Sequence, residues 1–546
     1  MNLCFVWIKE FKNLHGVGLN LSNDFDFYFD FQEKCLSKSK KSPMPNLFGD
    51  KISYVTGILG VNGSGKTNSL EFICRALKTP EKIRGEYILI YSIDDELFYS
   101  TNIEKDINLN FSASVSFDEH LNRLHVIFFS NVYDKNYIDF GNDVIDISIN
   151  NKNNPRTLSV QRDMRGIEFL NDMDFFSSSE FYNIDLQPPP RIEIKIDRFI
   201  KRHDRLLEGD NSLPVLHYFS EVRRKSRGCG KLHIIVQTIQ IEFLKNLLIS
   251  GVDNEKYLNS FNKFLSKEGD RELRTLLLEL RELSIVDNEP VPWSHDFLMF
   301  ETLTILFKLE SFLSEMCLEF DDSVRGSRLT FTIDYEISES FYYRHIVGIL
   351  QSMRYSSISW SGVSSGQRAY INIFSSIWNG LRNYHLKTDE GLGTIICIDE
   401  GDLYLHPQWQ ADFVDRLIKC LPKLSDTKIQ IVFTTHSPIL ISDLPRQCII
   451  LLNNDQNYPI VSYDGHRDKK QPKAFAANLY DIYQYSFGLE QRRIGNLSSR
   501  YLEKIYEILD KSDFSPADII ELNLALSVID DDIIKFHIQR RINKND

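Results

Sequence analysis

The residues best suited to chemistry lie near the amino terminus, in the stretch Gly60 to Thr67 with the pattern G-x-x-x-x-G-K-T. Glycines at such spacing let the backbone turn its N–H groups toward an anion, Lys66 supplies a positive charge, and the Thr67 hydroxyl can ligate magnesium. A helix starting there adds the partial positive charge of its amino terminus. We predict that the phosphates of a nucleotide are bound by Gly60, Asn62, Gly63, Ser64, Gly65, Lys66, Thr67 and Asn68.

A second candidate is the acidic pair Asp399 and Glu400, which follows the apolar run Ile395 to Ile398. An acid at the end of a buried strand can hold magnesium, and its neighbour can polarise the water that attacks a γ phosphate. We therefore predict a metal ligand at Asp399, together with Thr67, and a general base at Glu400. Taken alone, the pair is more typical of a solvated strand end, and the presence of the phosphate-binding loop reverses that preference.

A third candidate is His436, which follows another apolar run, Ile429 to Phe433. A neutral histidine at the carboxyl end of a parallel strand can hydrogen-bond a γ phosphate or orient the attacking water. A lone histidine is more often a satisfied polar residue. Its position at a strand end selects His436 as a catalytic candidate.

A fourth candidate is the segment Ser364, Ser365, Gly366 and Gln367, which opens the helical pattern "QRAYINIFSSIW". Free N–H groups at a helix amino terminus attract anions, so this segment can bind phosphate. The same four residues are also typical of a simple helix cap. Both interpretations stay open at the level of these residues.

The elements that must position these groups are apolar strands followed by helices. In chain order, "GVNGSGKT", "VSSGQ", "IICIDE" and "TTH" resemble the head domain of the ATP-binding-cassette superfamily. The resemblance implies an α/β fold, with a mixed or parallel sheet covered by helices and an antiparallel β subdomain. It also implies ATP and Mg²⁺ as cofactors, and a homodimer in which Ser364 to Gln367 of one copy face the ATP at Lys66 of the other.

The spacing of the motifs separates the subfamilies. Ser364 follows Lys66 by 298 positions, which is more than a compact transporter cassette needs. With this long spacing and the stretches "FVWIKEFKNLHGVGLNLS" and "IDEGDLYLHPQWQ", the sequence resembles the ATPases of overcoming-lysogenization-defect nucleases. It resembles most of all the PtuA ATPases of Septu anti-phage systems, including retron-encoded forms. The resemblance implies a PtuB-like HNH nuclease partner, control by a retron reverse transcriptase and its msDNA, and nucleic acid bound through the complex.

The domain organisation follows from composition shifts at "NNKNNPR" and "QPPPRIEIKI". We predict that residues 1–187 and 326–460 form the two halves of the head. Residues 188–325 form a mainly helical insertion, because apolar residues recur there at intervals of three and four. Residues 461–546 form a helical carboxyl-terminal region.

Composition limits the cellular setting. The formal charge of −13 argues against a surface that is basic throughout, so nucleic-acid contact requires a local patch such as 223–231 or 466–470. Such charge runs are also typical of solvated faces. Eight scattered cysteines, no leader-like opening and no long uninterrupted apolar stretch predict a cytoplasmic protein without a membrane span.

The tail and one departure from the family pattern complete the expectations. The residues after Pro438 contain no recognisable metal-binding nuclease pattern, so we expect no intrinsic nuclease domain, and the acidic run at 529–534 is interpreted as a solvated turn. No glutamine follows the strand "LHVIFF", where Asn131 or a water is the candidate substitute. Two rivals stay open: a DNA-repair ATPase of the RecF/SMC type, and a regulatory scaffold that binds nucleotide without turnover.

Overall fold

The computed structural model describes residues 1–104, 106–116, 118–132, 138–141, 143–148, 165–166, 169, 191–197, 213–250, 254–267, 271–284, 295–315, 318–320, 328–334, 349, 356–385, 392–452, 473–487 and 494–545. Its strands are β1 Asn2–Phe11, β2 Leu14–Asn20, β3 Phe25–Asp30, β4 Cys35–Lys40, β5 Ile52–Gly60, β6 Tyr87–Ile93, β7 Glu96–Thr101, β8 Asn108–Leu109, β9 Ser114–Val115, β10 Leu124–Ser130, β11 Ile145–Asp146, β12 Arg191–Asp197, β13 Leu318–Phe320, β14 Arg328–Asp334, β15 Ser356–Ser361, β16 Gly393–Asp399, β17 Ile429–Thr434 and β18 Ile449–Leu452.

The helices of the described residues lie mostly in the second half of the chain. They are α1 Lys66–Lys78, α2 Asp118–Asn122, α3 Leu213–Lys225, α4 Lys231–Ser250, α5 Asn254–Ser266, α6 Leu273–Leu283, α7 His295–Glu315, α8 Ser365–His385, α9 Pro407–Cys420, α10 Pro438–Ile441, α11 Leu479–Ser486, α12 Asn496–Leu509, α13 Pro516–Val528 and α14 Asp532–Asn545.

The central sheet has six strands in the order β11-β10-β16-β17-β5-β18, and all its neighbouring strands run parallel. Strands β5, β10, β16 and β17 therefore end at one edge, where Gly60, Ser130, Asp399 and Thr434 are their last residues. Parallel strands buried on both faces read as continuous apolar runs, as β16 does. This edge brings together segments that are hundreds of residues apart in sequence.

The two faces of the central sheet pack against different layers. Ile395 and Cys397 of β16 face a core shared with α1 and the sheet β2-β1-β6-β7-β9. Ile396 and Ile398 face the core built by α8, α9 and helices of the insertion. Because successive side chains of a strand point to opposite faces, the sheet is packed between two layers. The Gln430 side chain joins two sheets, because its amide exchanges hydrogen bonds of 2.8 Å with both the N–H and the carbonyl of Leu3.

The middle of the chain combines a small antiparallel sheet with helices. The sheet has the order β13-β14-β12-β15, and helices α3 to α7 lie in sequence between β12 and β13. The apolar periodicity noted in the sequence corresponds to α4, α6 and α7. The predicted fold class, a mixed α/β head with an antiparallel component and helical regions, is confirmed.

One helix in the described part of the chain meets the length and composition expected of a membrane span. The segment Lys231–Ile249 of α4 has a mean hydropathy of 1.3, and 67% of it is buried inside the protein. A buried core helix of a soluble protein has the same properties. Its side chains Ile235, Ile239 and Leu244 lie in the main core, which accounts for its apolar character.

The last three helices pack around a core of their own. Ile505 and Leu509 of α12, Leu522 and Ala525 of α13 and Ile538 of α14 form it. The acidic run at 529–534 lies at the junction of α13 and α14. There the carboxylate of Asp531 accepts hydrogen bonds from the next backbone N–H groups and so caps α14, while its neighbours are exposed.

Candidate nucleotide-binding site

A cleft of about 330 Å³ opens at the carboxyl edge of the central sheet. It lies where ligands bind in parallel α/β sheets, because the strand ends and the following helix amino termini meet there. It brings the glycine-rich loop together with residues from the ends of β16 and β17. The lining residues are Asn13, Asn62, Gly63, Gly65, Lys66, Thr67, Asn68, Glu400 and His436.

The loop between β5 and α1 has a backbone conformation and close contacts that require glycine at two positions. Gly65 has φ +97°, and a side chain there would lie 2.5 Å from the Leu14 side chain and 2.9 Å from the Asn13 amide oxygen. A side chain at Gly60 would lie 2.5 Å from the carbonyl of Leu452. Sequence spacing suggested glycines for backbone curvature, and tight packing against neighbouring segments adds a second reason for them.

The cation of the cleft is Lys66. Its ammonium donates to the carbonyls of Gly60 at 3.0 Å and Val61 at 3.2 Å, so it lies across the loop that precedes its own helix. Burial lowers the pKa of Lys66, and the carboxylates of Glu400 and Asp399 oppose that shift.

Asp399 lies behind the cleft and is almost fully buried. Its carboxylate accepts hydrogen bonds from the hydroxyls of Thr434 at 2.7 Å, Thr67 at 3.0 Å and Ser130 at 3.3 Å. Burial raises the pKa of Asp399, and the three hydroxyl donors oppose that shift. In the described residues, no group of three or more His, Cys, Asp or Glu side chains is arranged to hold a metal ion. A hydroxyl and one carboxylate with water ligands suit Mg²⁺, which keeps several waters.

Glu400 and His436 also line the cleft. The histidine Nε2 lies 3.5 Å from a Glu400 carboxylate oxygen. The hydrogen bond from His436 lowers the pKa of Glu400, and Lys66 adds to that effect, so the carboxylate is ionised at neutral pH. Glu400 has φ +48°, a left-handed backbone that is uncommon outside glycine, and its N–H donates to the Thr434 hydroxyl at 3.0 Å.

Asp402 is a buried acid two residues beyond Glu400. Burial raises its pKa to about 6, and the Thr435 hydroxyl opposes the shift. The folded state therefore holds this proton more tightly than the unfolded chain, whose aspartate titrates near 3.8. It follows that the contribution of Asp402 to the free energy of unfolding decreases as pH rises through this window.

We expect Asp402→Asn to remove that pH dependence. Relative to wild type, the variant should gain at most about 3 kcal/mol in free energy of unfolding between about pH 4 and pH 7. Urea unfolding at both pH values measures the gain, and Asp106→Asn, at an exposed aspartate of the head, is the control. Parallel stability profiles for wild type and Asp402→Asn would contradict the burial argument.

The structure places Ser364, Ser365, Gly366 and Gln367 outside this cleft. The Ser364 hydroxyl accepts from the Gln367 N–H at 3.2 Å, and the Gln367 side chain accepts from the Ser364 N–H at 2.9 Å. This reciprocal pair is a capping box for α8, so the helix-cap interpretation holds. A side chain at Gly366 would lie 3.3 Å from the carbonyl of Tyr404.

Sequence reasoning did not select three residues that the fold brings to the site. Asn13, in the turn between β1 and β2, donates to the Gly63 carbonyl at 2.6 Å. Ser130 and Thr434 both contact Asp399, whereas the amide of Asn131 donates to the Leu403 carbonyl at 2.9 Å. For Ser130 and Thr434 the available signal was their position at strand ends on one sheet edge, which requires knowing the strand order.

Comparison with known families agrees with this architecture. Residues 242–442 match the AAA_21 family, described as "AAA domain, putative AbiEii toxin, Type IV TA system". The matched residues include α8, Asp399, Glu400 and His436, and the glycine-rich loop precedes them. Residues 242–442 are thus similar to an AAA-type ATPase domain. The strand-end acids lie within the matched residues, and the Lys66 loop lies outside them.

The chain is also similar to curated proteins from several bacteria. The retron Ec83 probable ATPase of Escherichia coli is 27% identical over 199 residues, 35% of this chain and 34% of the relative. The Septu protein PtuA of Bacillus thuringiensis is 30% identical over 164 residues, covering 29% and 38%. PtuA of Bacillus mycoides (strain KBAB4) is 23% identical over 302 residues, covering 52% and 41%. The chain thus spans less than half the length of these relatives, and the expected similarity to PtuA and retron ATPases is confirmed.

Proposed function

We propose that the chain is the ATP-binding and ATP-hydrolysing subunit of an anti-phage defence complex. The observation that carries the ATPase part is the single cleft that holds the glycine-rich loop, Lys66, Glu400 and His436 together. The names of the relatives, Septu PtuA and retron ATPase, support the defence part. Activity, partners and the roles of individual residues are parts of this proposal.

In this proposal the loop from Gly60 to Asn68 holds the phosphates of ATP. Lys66 turns from its loop carbonyls to the β and γ phosphates, where an ammonium neutralises charge. Thr67 and Asp399 hold Mg²⁺, which would screen the phosphate charge when it is bound. Their mutual hydrogen bond, 3.0 Å long, keeps hydroxyl and carboxylate on one side of the cleft.

Glu400 is the general base of the proposal. Because its carboxylate is ionised and partly exposed to the cleft, it can accept a proton from the attacking water. His436 lies close enough to orient that water or contact the γ phosphate. The left-handed backbone at Glu400 directs its side chain while Thr434 holds its N–H, which links the base to the residue that also orients Asp399.

The segment from Ser364 to Gln367 acts on a second copy in this proposal. It lies outside the cleft of its own chain, yet it presents the amino terminus of the 21-residue helix α8 to the surface, with Ser364 and Ser365 exposed. Such a terminus can stabilise the γ phosphate of ATP held by another subunit. The working unit is then a homodimer with two shared sites.

The partner in this proposal is an HNH nuclease of the PtuB type, with a retron reverse transcriptase and msDNA as further regulators. The names of two relatives, Septu protein PtuA and retron Ec83 probable ATPase, support this part of the proposal. Nucleotide state would license or restrain cleavage by the partner. The carboxyl-terminal helices α12 to α14 expose apolar side chains that suit protein contacts, including Leu497, Ile520, Leu524, Val528, Ile533 and Phe536.

The test is purification of the tagged chain from its native gene context with ATP and magnesium, followed by mass spectrometry and sequencing of whatever co-purifies. A stoichiometric HNH protein is the expected result, and a reverse transcriptase with an RNA–DNA hybrid would add the retron. A homodimer that carries only DNA, with ATPase activity stimulated several-fold by that DNA, would contradict the defence assignment and favour a repair ATPase.

A further inference from the structure

The bend between α3 and α4 carries a basic cluster that the nucleotide site does not use. Residues 223–231 read RRKSRGCGK, with five cationic side chains and no acid, in a chain whose formal charge is −13. Helix α3 ends at Lys225 and α4 begins at Lys231, so the cluster spans the end of α3, the short connection 226–230 and the first residue of α4. We call residues 224–231 the basic bend.

The two neighbouring arginines at this turn have opposite environments. Arg223 donates to Glu242, which is only 1% exposed, and Lys245 lies 3.7 Å from the same carboxylate. The Arg224 side chain is 73% exposed, against 20% for Arg223. The charge of Arg223 thus anchors the bend to the core, while Arg224 and the exposed Lys225 point their charges to solvent.

The backbone of the bend leaves room for a ligand. Added side chains at Gly228 and Gly230 would meet nothing within 4 Å, and Cys229 between them is exposed. Helix α4 follows directly with no acidic residue in its first turn, so its N–H groups and dipole favour an anion. The aromatic residues on α3 that precede the bend, Tyr218 and Phe219, are buried.

Two acidic groups of the described residues lie near the bend. Glu221, one turn before the bend on α3, lies 3.9 Å from Arg224, and Glu310 of α7 lies 3.3 Å from His233 at the start of α4. Cations in a last helical turn also stabilise the helix dipole by about 0.3–1 kcal/mol each. Dipole stabilisation alone does not require consecutive exposed cations followed by an open glycine turn.

We propose that the basic bend binds the phosphate backbone of a nucleic acid. Arg224 and Lys225 at the carboxyl end of α3 supply charges that match phosphates, and arginine forms the paired hydrogen bonds that phosphate oxygens accept. Tyr218 and Phe219 are buried, so no exposed Phe, Tyr or Trp ring lies on the described residues 213–234. This argues against extensive base stacking, and we expect binding to be independent of sequence. The site goes beyond the proposed ATPase activity and does not require it.

The test measures binding of fluorescent single-stranded DNA, duplex DNA and duplex RNA to the full chain by anisotropy, without nucleotide, over a salt series. For three phosphate contacts, duplex affinity should fall about 40-fold between about 50 and about 200 mM salt. The double variant Arg224→Glu/Lys225→Glu should bind at least about 10-fold more weakly and with a shallower salt slope. The preferred probe then identifies the source of the phosphates.

A matched control reverses two exposed charges elsewhere. Lys82 and Arg84 lie beyond the carboxyl end of α1, so Lys82→Glu/Arg84→Glu changes net charge equally. Equal losses of affinity in both double variants would show that the effect depends only on net charge and would overturn the proposal. Unchanged affinity of the bend variant would overturn it as well. Polyglutamate that competes as well as DNA would overturn it too, because the surface would then suit an acidic protein.

An independent readout uses the wild-type chain and so avoids misfolded variants. Cys229 is exposed within the bend, whereas Cys4, Cys74 and Cys397 are buried. Bound nucleic acid should slow alkylation of Cys229 by N-ethylmaleimide at least about 5-fold, measured by mass spectrometry of the cysteine peptides. At high salt, where nucleic acid binds more weakly, the alkylation should be slowed less. Unchanged alkylation of Cys229 under saturating DNA would place the nucleic acid elsewhere and overturn the proposal.

Discussion

Replacing Glu400 with glutamine is expected to reduce ATP hydrolysis about 100-fold or more while leaving ATP binding intact. Glutamine keeps the shape of the side chain but cannot accept a proton, and general base catalysis contributes typically about 10²–10⁴-fold. The wild-type carboxylate is ionised because His436 and Lys66 lower its pKa. The loss should therefore appear in kcat and be equally large from pH 6 to pH 8.

The measurement is steady-state hydrolysis together with the oligomeric state in ATP. The Glu400→Gln chain should accumulate as an ATP-bound dimer, because binding continues while turnover stops. Glu33→Gln, at an exposed glutamate on the head, is the matched control and should behave as wild type. Normal turnover in the Glu400 variant would remove that residue from its proposed role. Absence of turnover in the wild type would favour the scaffold alternative.

The second large effect is complementation between two inactive variants. Lys66→Ala removes the cation of the phosphate loop, and Ser365→Asp places a negative charge at the exposed first residue of α8. An acid there stabilises the helix by the macrodipole but repels a γ phosphate, so the protein should stay folded while losing activity. Each variant alone should lose at least about 100-fold in hydrolysis.

Mixing the two variants should restore activity. In a mixed dimer, the intact Lys66 of one copy meets the intact α8 terminus of the other, so one of its two sites is complete. With random pairing, about a quarter of the sites are complete, and hydrolysis should approach that share of the wild-type rate. A mixture of Lys66→Ala with Lys66→Ala/Ser365→Asp is the control and should stay inactive. If the mixture of the two single variants regains neither ATP hydrolysis nor ATP-dependent dimerisation, the shared-site proposal is contradicted.

The sequence alone predicted the class of fold and much of the site. The spacing of Gly60 to Thr67 predicted a phosphate loop, and apolar runs ending at Asp399 and His436 predicted strands that meet at one edge. These predictions succeed because local patterns depend on backbone geometry: glycine permits the turn, and buried strands require continuous apolar residues. Apolar periodicity likewise predicted helices such as α4 in the insertion.

The environment of each group could not be predicted in this way. Asn13 is in the cleft because the β1–β2 turn packs against Gly65, a contact between sheets that has no local pattern. Ser130 and Thr434 flank Asp399 because β10 and β17 are neighbours of β16 in the strand order. Hydrogen bonding and burial set the ionisation of Glu400 and Asp402, and both depend on distant segments.

The basic bend shows the same division between sequence and tertiary structure. Composition identified the cluster at 223–231 and could not separate a solvated face from a binding surface. Tertiary structure decided which charges are paired in the core, since Arg223 forms an ion pair with the buried Glu242 while the Arg224 side chain is exposed to solvent. The sequence by itself determined which residues can do chemistry, through their types and spacing. Only the packed fold decided which of them share a site, because solvation and charge pairing are properties of neighbours in space.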